Sequence, residues 1–243
     1  MTQGPTNIQN LKEPGGARVT VILVVRNGER TIAEALASVM RSEEKPLEIL
    51  VINGHSTDRT VEIAARHPLV RVVPERHRGI ANAYNQGIAE ARGEFIAFIS
   101  HDDVWTDGKL DRQLTFMRDR PELLFTVGMV EHFLDCAAPP PGFRQELLDR
   151  PHPGYIMETL VARREAFAAI GPFDPKFSVG EDTDWFARAR DIGVAAAMLP
   201  ETLVRKRVHT ANSSLNESNI NGLLLKALRG SVERKRSPGS GGG

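Results

Sequence analysis

Residues 95–103 read Phe-Ile-Ala-Phe-Ile-Ser-His-Asp-Asp, so a short apolar run ends at two adjacent carboxylates. Continuous apolar runs of this length are typical of strands buried in a mostly parallel sheet. Ligands of open α/β sheets bind just beyond the carboxyl ends of the strands, which is where Asp102 and Asp103 fall. Carboxylate oxygens at such an edge suit Mg²⁺ or Mn²⁺. The alternative is a solvated turn, because Asp is common in turns.

The composition is that of an ordinary globular protein. The chain has 243 residues, with 41% apolar and 26% charged residues and a formal net charge of zero. The absence of a basic excess gives no reason to expect nucleic acid as a partner. A single cysteine, Cys136, excludes an intrachain disulfide. No apolar stretch has membrane-spanning length, so we expect no transmembrane segment and a cytoplasmic protein, or one peripheral at the inner membrane face.

Strand and helix patterns alternate through the first half of the chain. The apolar runs predict four strands, at Val19–Val25, Leu47–Ile52, Val70–Val73 and Phe95–Ile99, and the intervening segments predict helices at Ile32–Met40, Val61–Ala65 and Ile80–Ala91. This alternation is the pattern of an α/β fold with a mostly parallel sheet. Right-handed crossovers place the helices on both faces and bring the loops after Val25, Ile52 and Ile99 to one edge.

The second half is less regular. Its patterns predict helices at Trp105–Arg118 and Glu181–Asp191, strands at Leu123–Phe133, Val194–Leu199 and Leu203–Val208, and a strand turning into a short helix over Leu160–Ile170. Three consecutive prolines within Ala137–Gly142 indicate a loop, and the residues that follow, up to about Pro153, have no clear pattern. The basic and then Gly/Ser-rich stretch from Ser231 onward is typical of a tail or linker.

Six motifs, in this order, carry a resemblance to a known family. They read TVILVVRN at 20–27, INGHSTDRT at 52–60, RGIANAYNQGI at 78–88, FISHDD at 98–103, RREAFAAIGPFDPKFSVGEDTDWFARAR at 163–190 and VHTANSS at 208–214. Together they resemble the motifs of the family-two glycosyltransferases, which have the GT-A fold. The resemblance implies one GT-A domain over residues 18–215, divided into a nucleotide-binding half (18–104) and an acceptor half (105–215). We further expect a flexible leader at 1–17, a C-terminal helix at 216–230 and a flexible tail at 231–243.

The resemblance also implies an activity: inverting, metal-assisted transfer of a sugar from a nucleotide-diphosphate sugar to an acceptor hydroxyl. The acceptor, whether saccharide, lipid-linked or peptide, and the oligomeric state stay open. The implied contacts of the nucleotide sugar are Val25, Arg26, Asn53, Ser56, Arg78, Gly79, Ser100, His101 and Asp102. Two positions depart from the family pattern, because Asn53 and Ser100 stand where aspartates are usual. An amide and a hydroxyl still form hydrogen bonds, so these changes bear on which donor is bound.

The metal and catalytic residues follow from the same comparison of motifs. The resemblance implies Mg²⁺ or Mn²⁺ at Asp102, with Asp103 either as a second ligand or as a residue that holds Asp102 and a metal-bound water in place, and His209 as a further contact of the metal or the diphosphate. Asp182 matches the catalytic base, which accepts the proton of the attacking hydroxyl. Glu181 and Trp185 are expected near the acceptor. Three of these residues have a structural alternative. Asp182 can be a helix-starting acid, His209 a structural or surface residue, and Trp185 a core residue.

Two other functions compete with this interpretation. A nucleotidyltransferase has a similar α/β scaffold, but it needs a glycine-rich basic loop near the first strand, which Arg26–Arg30 approximates poorly. A non-catalytic module that binds nucleotide sugars is favoured by Asn53 and Ser100, and disfavoured by the retained set Asp102, Asp182 and His209.

Overall fold

The computed structural model describes residues 18–210 together with Asn212 and Gly230. The predicted leader (1–17) and tail (231–243) lie outside the described residues, as does the predicted C-terminal helix (216–230) except for its last residue. The strands are β1 Val19–Val25, β2 Glu48–Asn53, β3 Val70–Pro74, β4 Phe95–Ser100, β5 Val104–Trp105, β6 Phe125–Leu134, β7 His152–Gly154, β8 Val161–Arg163 and β9 Ala196–Val208. The helices are α1 Ile32–Met40, α2 Thr60–Ala65, α3 Ile80–Glu90, α4 Lys109–Arg118, α5 Arg164–Ile170 and α6 Glu181–Asp191.

The strands form one mixed nine-stranded sheet. Its order is β3-β2-β1-β4-β8-β6-β9-β5, and β7 pairs with β6 beside this path. The first four strands are parallel, with β1 in the centre between β2 and β4. Strands β5, β7 and β8 pair antiparallel with their neighbours, whereas β6 and β9 are parallel. The α/β class and the mostly parallel sheet are therefore confirmed, and the two predicted halves share this sheet.

Helices cover both faces of the sheet, as the crossovers predict. Successive residues of a strand point to opposite faces, so each strand supplies two separate cores. On one face α1, α2 and α4 pack on residues such as Val21, Leu23 and Trp105. On the other face α3, α5 and α6 pack on Ile22, Phe98 and Trp185. Each core contains one of the two tryptophans, and both rings are fully buried.

Three boundaries of the second half differ from the sequence prediction. The predicted helix at Trp105–Arg118 begins only at Lys109, because Gly108 has a φ of +70° and Val104–Trp105 pairs with β9 as a strand. The two predicted strands at the end form the single strand β9, whose pairing with β6 shifts register around Thr202. The unassigned stretch before Pro153 contains a 3₁₀ helix at Gln145–Leu148 and the start of β7.

The helices of the described part are all short. Within residues 18–210, none is long and apolar enough to cross a membrane.

Candidate functional site

A cleft of about 970 Å³ opens at the carboxyl ends of β1, β2 and β4. We name the side formed by the segments after these strands, together with the turn before α3, the strand-end wall. Its lining residues include Val25, Arg26, Asn27, Gly54, His55, Arg78, Gly79, Ser100, His101 and Asp102. The cleft is also lined by residues of the second half of the chain, which we name the opposite wall: they include His132, Glu158, Gly180, Glu181, Asp182, Thr183 and Lys206. The cleft thus lies at the edge of the parallel sheet at which the sequence analysis predicted a ligand site.

The loops after β1 and β2 support each other through side chains. Asn27 and His55 have φ angles of 53° and 57°, and such left-handed backbone in residues other than glycine clusters at functional sites. The Asn27 amide N–H donates to Ser56 Oγ at 2.9 Å, and Asn27 Oδ1 accepts from the Thr57 N–H at 2.9 Å. These bonds hold the two loops in register, so the cleft edge is preformed.

Asn53 and Ser56 belong to this support and do not line the cleft. The Oδ1 atom of Asn53 accepts a hydrogen bond from the Ser56 N–H at 3.1 Å, within the same turn. The other residues that we expected to contact a nucleotide sugar do line the cleft: Val25, Arg26, Arg78, Gly79, Ser100, His101 and Asp102. Arg26 and Arg78 are exposed, and among the described residues neither has an ion-pair partner.

Asp102 and His209 meet in the cleft. Asp102 Oδ2 lies 2.9 Å from His209 Nε2, although 107 residues separate them in the chain. Burial raises the pKa of Asp102, but nearby His101 and Lys206 and hydrogen bonds from Ser100 and His209 outweigh burial and lower it to about 2. The Asp102 carboxylate is therefore ionised at any pH at which the chain works, as a cation-binding group must be.

Asp103 is directed away from the cleft. It is only 1% exposed, and its two oxygens accept from Lys206 Nζ at 2.8 Å and from the Arg207 N–H at 2.9 Å. Burial raises the pKa of Asp103, but a donor on each oxygen fits the ionised form. The expectation that Asp103 contacts the metal is corrected by this geometry, because both oxygens are already bonded inside the protein. Asp103 instead fixes β9 against the loop that carries Asp102.

Glu181 and Asp182 begin α6 in the opposite wall. Gly180, with a φ of +83°, precedes them, so Asp182 lies in the first turn and is not the N-cap. Asp182 Oδ1 accepts from the Thr183 N–H at 2.6 Å, while Oδ2 has no partner among the described residues. Burial and then the charge of Glu158 raise the pKa of Asp182 to about 6, and burial and then Asp182 raise that of Glu181 to about 8. Near neutral pH, Asp182 is therefore a carboxylate and Glu181 an acid, which suits a base beside a hydrogen-bond donor.

Trp185, one turn further along α6, does not reach the cleft. Its side chain is 0% exposed, its ring lies 5.3 Å from that of Phe167 and 5.5 Å from that of Phe125, and Nε1 donates to the Gly171 carbonyl at 3.1 Å. A fully buried ring cannot stack on a sugar, so the expected acceptor contact is corrected to a core residue.

Four residues of the opposite wall were not singled out from the sequence: His132, His152, Glu158 and Lys206. Lys206 Nζ bridges Asp103 Oδ2 at 2.8 Å and Glu158 Oε1 at 3.3 Å. Lys206 could have been recognised from the sequence, because it is a basic residue within a predicted strand and lies three positions before His209. Glu158, His132 and His152 had no local signal, because long-range pairing alone brings them to the cleft.

Asp102 and His209 are chemically suited to a divalent cation. A carboxylate oxygen and an imidazole nitrogen together suit Mn²⁺, and Mg²⁺ prefers the oxygen. In this structure the two side chains are hydrogen-bonded to each other at 2.9 Å. Among residues 18–210 and 212, no group of three or more His, Cys, Asp and Glu side chains is arranged to hold a metal. A cation held by Asp102 and His209 would take its remaining ligands from a substrate or water.

Comparison with known proteins gives consistent results. A family model described as glycosyl transferase family 2 matches residues 20–173. An uncharacterised glycosyltransferase of Rickettsia prowazekii is 28% identical over 226 residues, which cover 86% of this chain and 70% of that protein.

Two solved structures illustrate the likeness in fold. S. aureus TarS 1–349 in complex with UDP-GlcNAc superposes with a TM-score of 0.71 and 17% identity, covering 89% of this chain and 66% of that chain. The mannosyltransferase PcManGT from Pyrobaculum calidifontis, in complex with GDP-Man and Mn²⁺, gives a TM-score of 0.68 and 21% identity, covering 90% and 65%. The chain therefore spans slightly less than two thirds of these two proteins, and the likeness establishes the GT-A fold.

Proposed function

Because the chain belongs to glycosyl transferase family 2, we propose that it transfers a hexosyl group from a nucleotide-diphosphate sugar to an acceptor hydroxyl with inversion at the anomeric carbon. One observation supports the proposal: the hydrogen-bonded Asp102–His209 pair and Asp182 line a single cleft. A group suited to binding a cation and a group suited to accepting a proton would then share one substrate space. The solved neighbours with UDP-GlcNAc and with GDP-Man and Mn²⁺ support a donor of this class.

The strand-end wall is suited to binding the donor. Arg26 and Arg78 are exposed at the cleft without ion pairs in the described part of the chain, and guanidinium groups present a fork of donors to phosphate oxygens. Asp102 and His209 would hold Mg²⁺ or Mn²⁺, which neutralises the charge that develops on the leaving diphosphate. Ser100 and His101 line the same edge of the cleft. Together these groups would bind the diphosphate of the donor.

The opposite wall is suited to activating the acceptor. The acceptor oxygen forms a bond to the anomeric carbon while the bond from that carbon to the phosphate oxygen breaks, and its electron pair goes to the diphosphate. The acceptor proton passes to Asp182 Oδ2, which has no partner among the described residues and belongs to a carboxylate whose pKa is raised to about 6. A base with a pKa near the working pH is the most effective one. A single displacement of this kind inverts the anomeric carbon and needs no protein nucleophile.

Calorimetric titration tests the donor part of the proposal. The titration uses UDP, GDP, CDP and dTDP with and without Mn²⁺, on the wild type, on Asp102→Ala and on Asp107→Ala as a matched control. Asp107 is an exposed surface carboxylate paired with Arg41. We expect at least one nucleotide to bind about 10–100-fold more tightly with Mn²⁺, and only Asp102→Ala to lose this gain.

The same preparation tests transfer and its stereochemistry. The wild type is incubated with the sugar form of the tightest nucleotide, and the anomer released by slow transfer to water is identified by NMR. We expect the inverted anomer first. Retention at the anomeric carbon would refute the single displacement, and nucleotide binding without any turnover of sugar would leave a binding module as the function.

A further inference from the structure

A row of basic side chains crosses three neighbouring strands in the opposite wall. His132 on β6 pairs in register with Lys206 on β9, and His152 on β7 pairs with Val130, which precedes His132 by two residues. Residues paired across strands point to the same face, so the three basic side chains lie side by side. All three line the cleft. His132 and His152 have no part in the donor site or in proton transfer as described above, whereas Lys206 lowers the pKa of Asp102 and is bonded to Asp103.

The two imidazoles form a stacked pair. Their ring centroids are 4.9 Å apart with an interplanar angle of 17°, and His152 Nε2 lies 3.0 Å from His132 Nδ1. At this distance one nitrogen donates and the other accepts, so the bond contains a single proton. Among the residues that the structure describes, His132 Nε2 has no hydrogen-bond partner. The pair therefore has an unbonded nitrogen, on a residue that lines the cleft, and can take up a second proton.

Arg144 adds a permanent charge to the same region. Its side chain is exposed, lines the cleft and makes no ion pair within residues 18–210. The charge of Lys206, by contrast, is matched by Asp103 and Glu158, and the nearby Asp135 is paired with Arg207 at 3.3 Å. The unmatched positive charge in this part of the cleft is thus that of Arg144, next to a histidine pair.

The charged groups that affect the pKa of His132 include no negative partner. Burial, and then the charges of His152, Lys206 and Arg144 in that order of size, together lower the pKa of His132 to about 4. All three charged neighbours are basic. Bringing an anion among them would reverse their effect, since a nearby opposite charge favours the charged form of a group.

We propose that His132, His152 and Arg144 form a subsite for an oxyanion, a phosphoryl or carboxylate group that the acceptor carries. That the ligand is the acceptor rests on the proposed function, because the subsite lies in the opposite wall with Asp182. The chemistry of recognition does not depend on it: a guanidinium fork and the Nε2–H of His132, once the histidine pair has taken up its second proton, are donors suited to an oxyanion.

The test is an NMR titration of the histidine side chains. The enzyme is saturated with a nucleoside diphosphate and Mg²⁺ so that the donor phosphate site is filled, and inorganic phosphate or acetate is then added. We expect one of these anions to shift the resonances of His132 and His152, assigned with His→Gln variants, and to raise the pKa of the pair. Phosphate alone would indicate a phosphoryl group, and acetate alone a carboxylate. Phosphatidylcholine vesicles with and without phosphatidic acid distinguish a lipid headgroup from a free phosphate ester.

Arg144→Gln supplies the decisive variant, with Arg150→Gln as the matched control. Arg150 is exposed in the same segment but does not line the cleft. Loss of a charged donor should weaken anion binding about tenfold or more, in Arg144→Gln only. Unshifted histidine resonances, or equal affinity in the two variants, would overturn the subsite. Binding of the nucleoside diphosphate, measured in the same samples, decides the proposed function separately.

Discussion

The strand-end wall and the opposite wall of the cleft use charged residues in different ways. In the strand-end wall, hydrogen bonds among Asn27, Ser56 and Thr57 fix the backbone, and Arg26 and Arg78 remain exposed. In the opposite wall the carboxylates are buried close together, and their pKa values are raised. Under the proposed function the strand-end wall binds the charged donor and the opposite wall transfers the proton, so substitutions in the two walls should separate binding from rate.

Asp182→Asn should separate donor binding from the transfer rate most clearly. The amide keeps the size of the side chain and loses its proton affinity, so transfer should fall about 10²–10⁴-fold. Donor affinity should stay at the wild-type value, because Asp182 lies in the opposite wall. The measurements are the transfer rate and calorimetric donor affinity, with the exposed Asp119→Asn as the control. An Asp182→Asn enzyme with normal turnover would make Asp182 a first-turn acid of α6 and nothing more.

Lys206→Met tests whether buried charge stabilises the opposite wall. The substitution leaves Asp103, which is 1% exposed, and Glu158 without their shared cation. We expect the free energy of unfolding to fall by about 3 kcal/mol, as measured by urea denaturation. In the strand-end wall, Arg78→Met should change it by less than about 0.5 kcal/mol. Equal losses in the two variants would remove the contrast between the walls.

The pH dependence of turnover should follow the opposite wall. Asp182 must be ionised to accept a proton, so kcat at saturating donor should decline below about pH 6, tenfold per pH unit. The raised pKa also means that ionisation opposes folding: the stabilising contribution of Asp182 is complete below its unfolded pKa and is lost as the pH rises through about 6. Asp182→Asn should therefore raise the melting temperature at pH 7. A flat kcat profile between pH 5 and 7 would show that another group accepts the proton.

Asn53→Asp should have the smallest effect. Asn53 Oδ1 accepts from the Ser56 N–H at 3.1 Å and the residue does not line the cleft, so an aspartate can keep the same bond. We expect the order of affinity among UDP, GDP, CDP and dTDP to be unchanged, with differences below about threefold. A reversed order would mean that Asn53 reads the nucleobase, which would extend the strand-end wall by one residue.

The sequence predicted the two walls unequally well. Strands β1 to β4 lie within one residue of their predicted ends, because each is a continuous apolar run followed by turn residues. Because the strand ends were predicted correctly, most of the residues predicted just beyond them do line the strand-end wall. Asn53 and Ser56 were predicted to contact the nucleotide sugar but do not line the cleft: Asn53 Oδ1 accepts from the Ser56 N–H within the turn, and Ser56 Oγ accepts from the Asn27 N–H of the neighbouring loop.

The opposite wall depends on contacts that no local pattern contains. Asp103 was predicted beside a metal because it adjoins Asp102, yet Lys206, 103 residues further along the chain, engages it inside the protein. The aromatic residues that bury Trp185 come from three other segments. Strand β5 consists of two residues, too few for a periodicity, and exists only because β9 pairs with it. Such features are decided by tertiary pairing.

The position of the two tryptophans gives the protein a separate optical reporter for each face of its sheet. Trp105 and Trp185 are the only tryptophans of the chain, and they are buried in different cores. Both indole rings are shielded from water, and their N–H groups donate to the Phe98 and Gly171 carbonyls. Both tryptophans should therefore fluoresce at short wavelength in the folded state. The Trp105→Phe and Trp185→Phe variants would each retain one fluorescent tryptophan. Stopped-flow fluorescence of the two variants could then time the docking of α1, α2 and α4 against that of α3, α5 and α6.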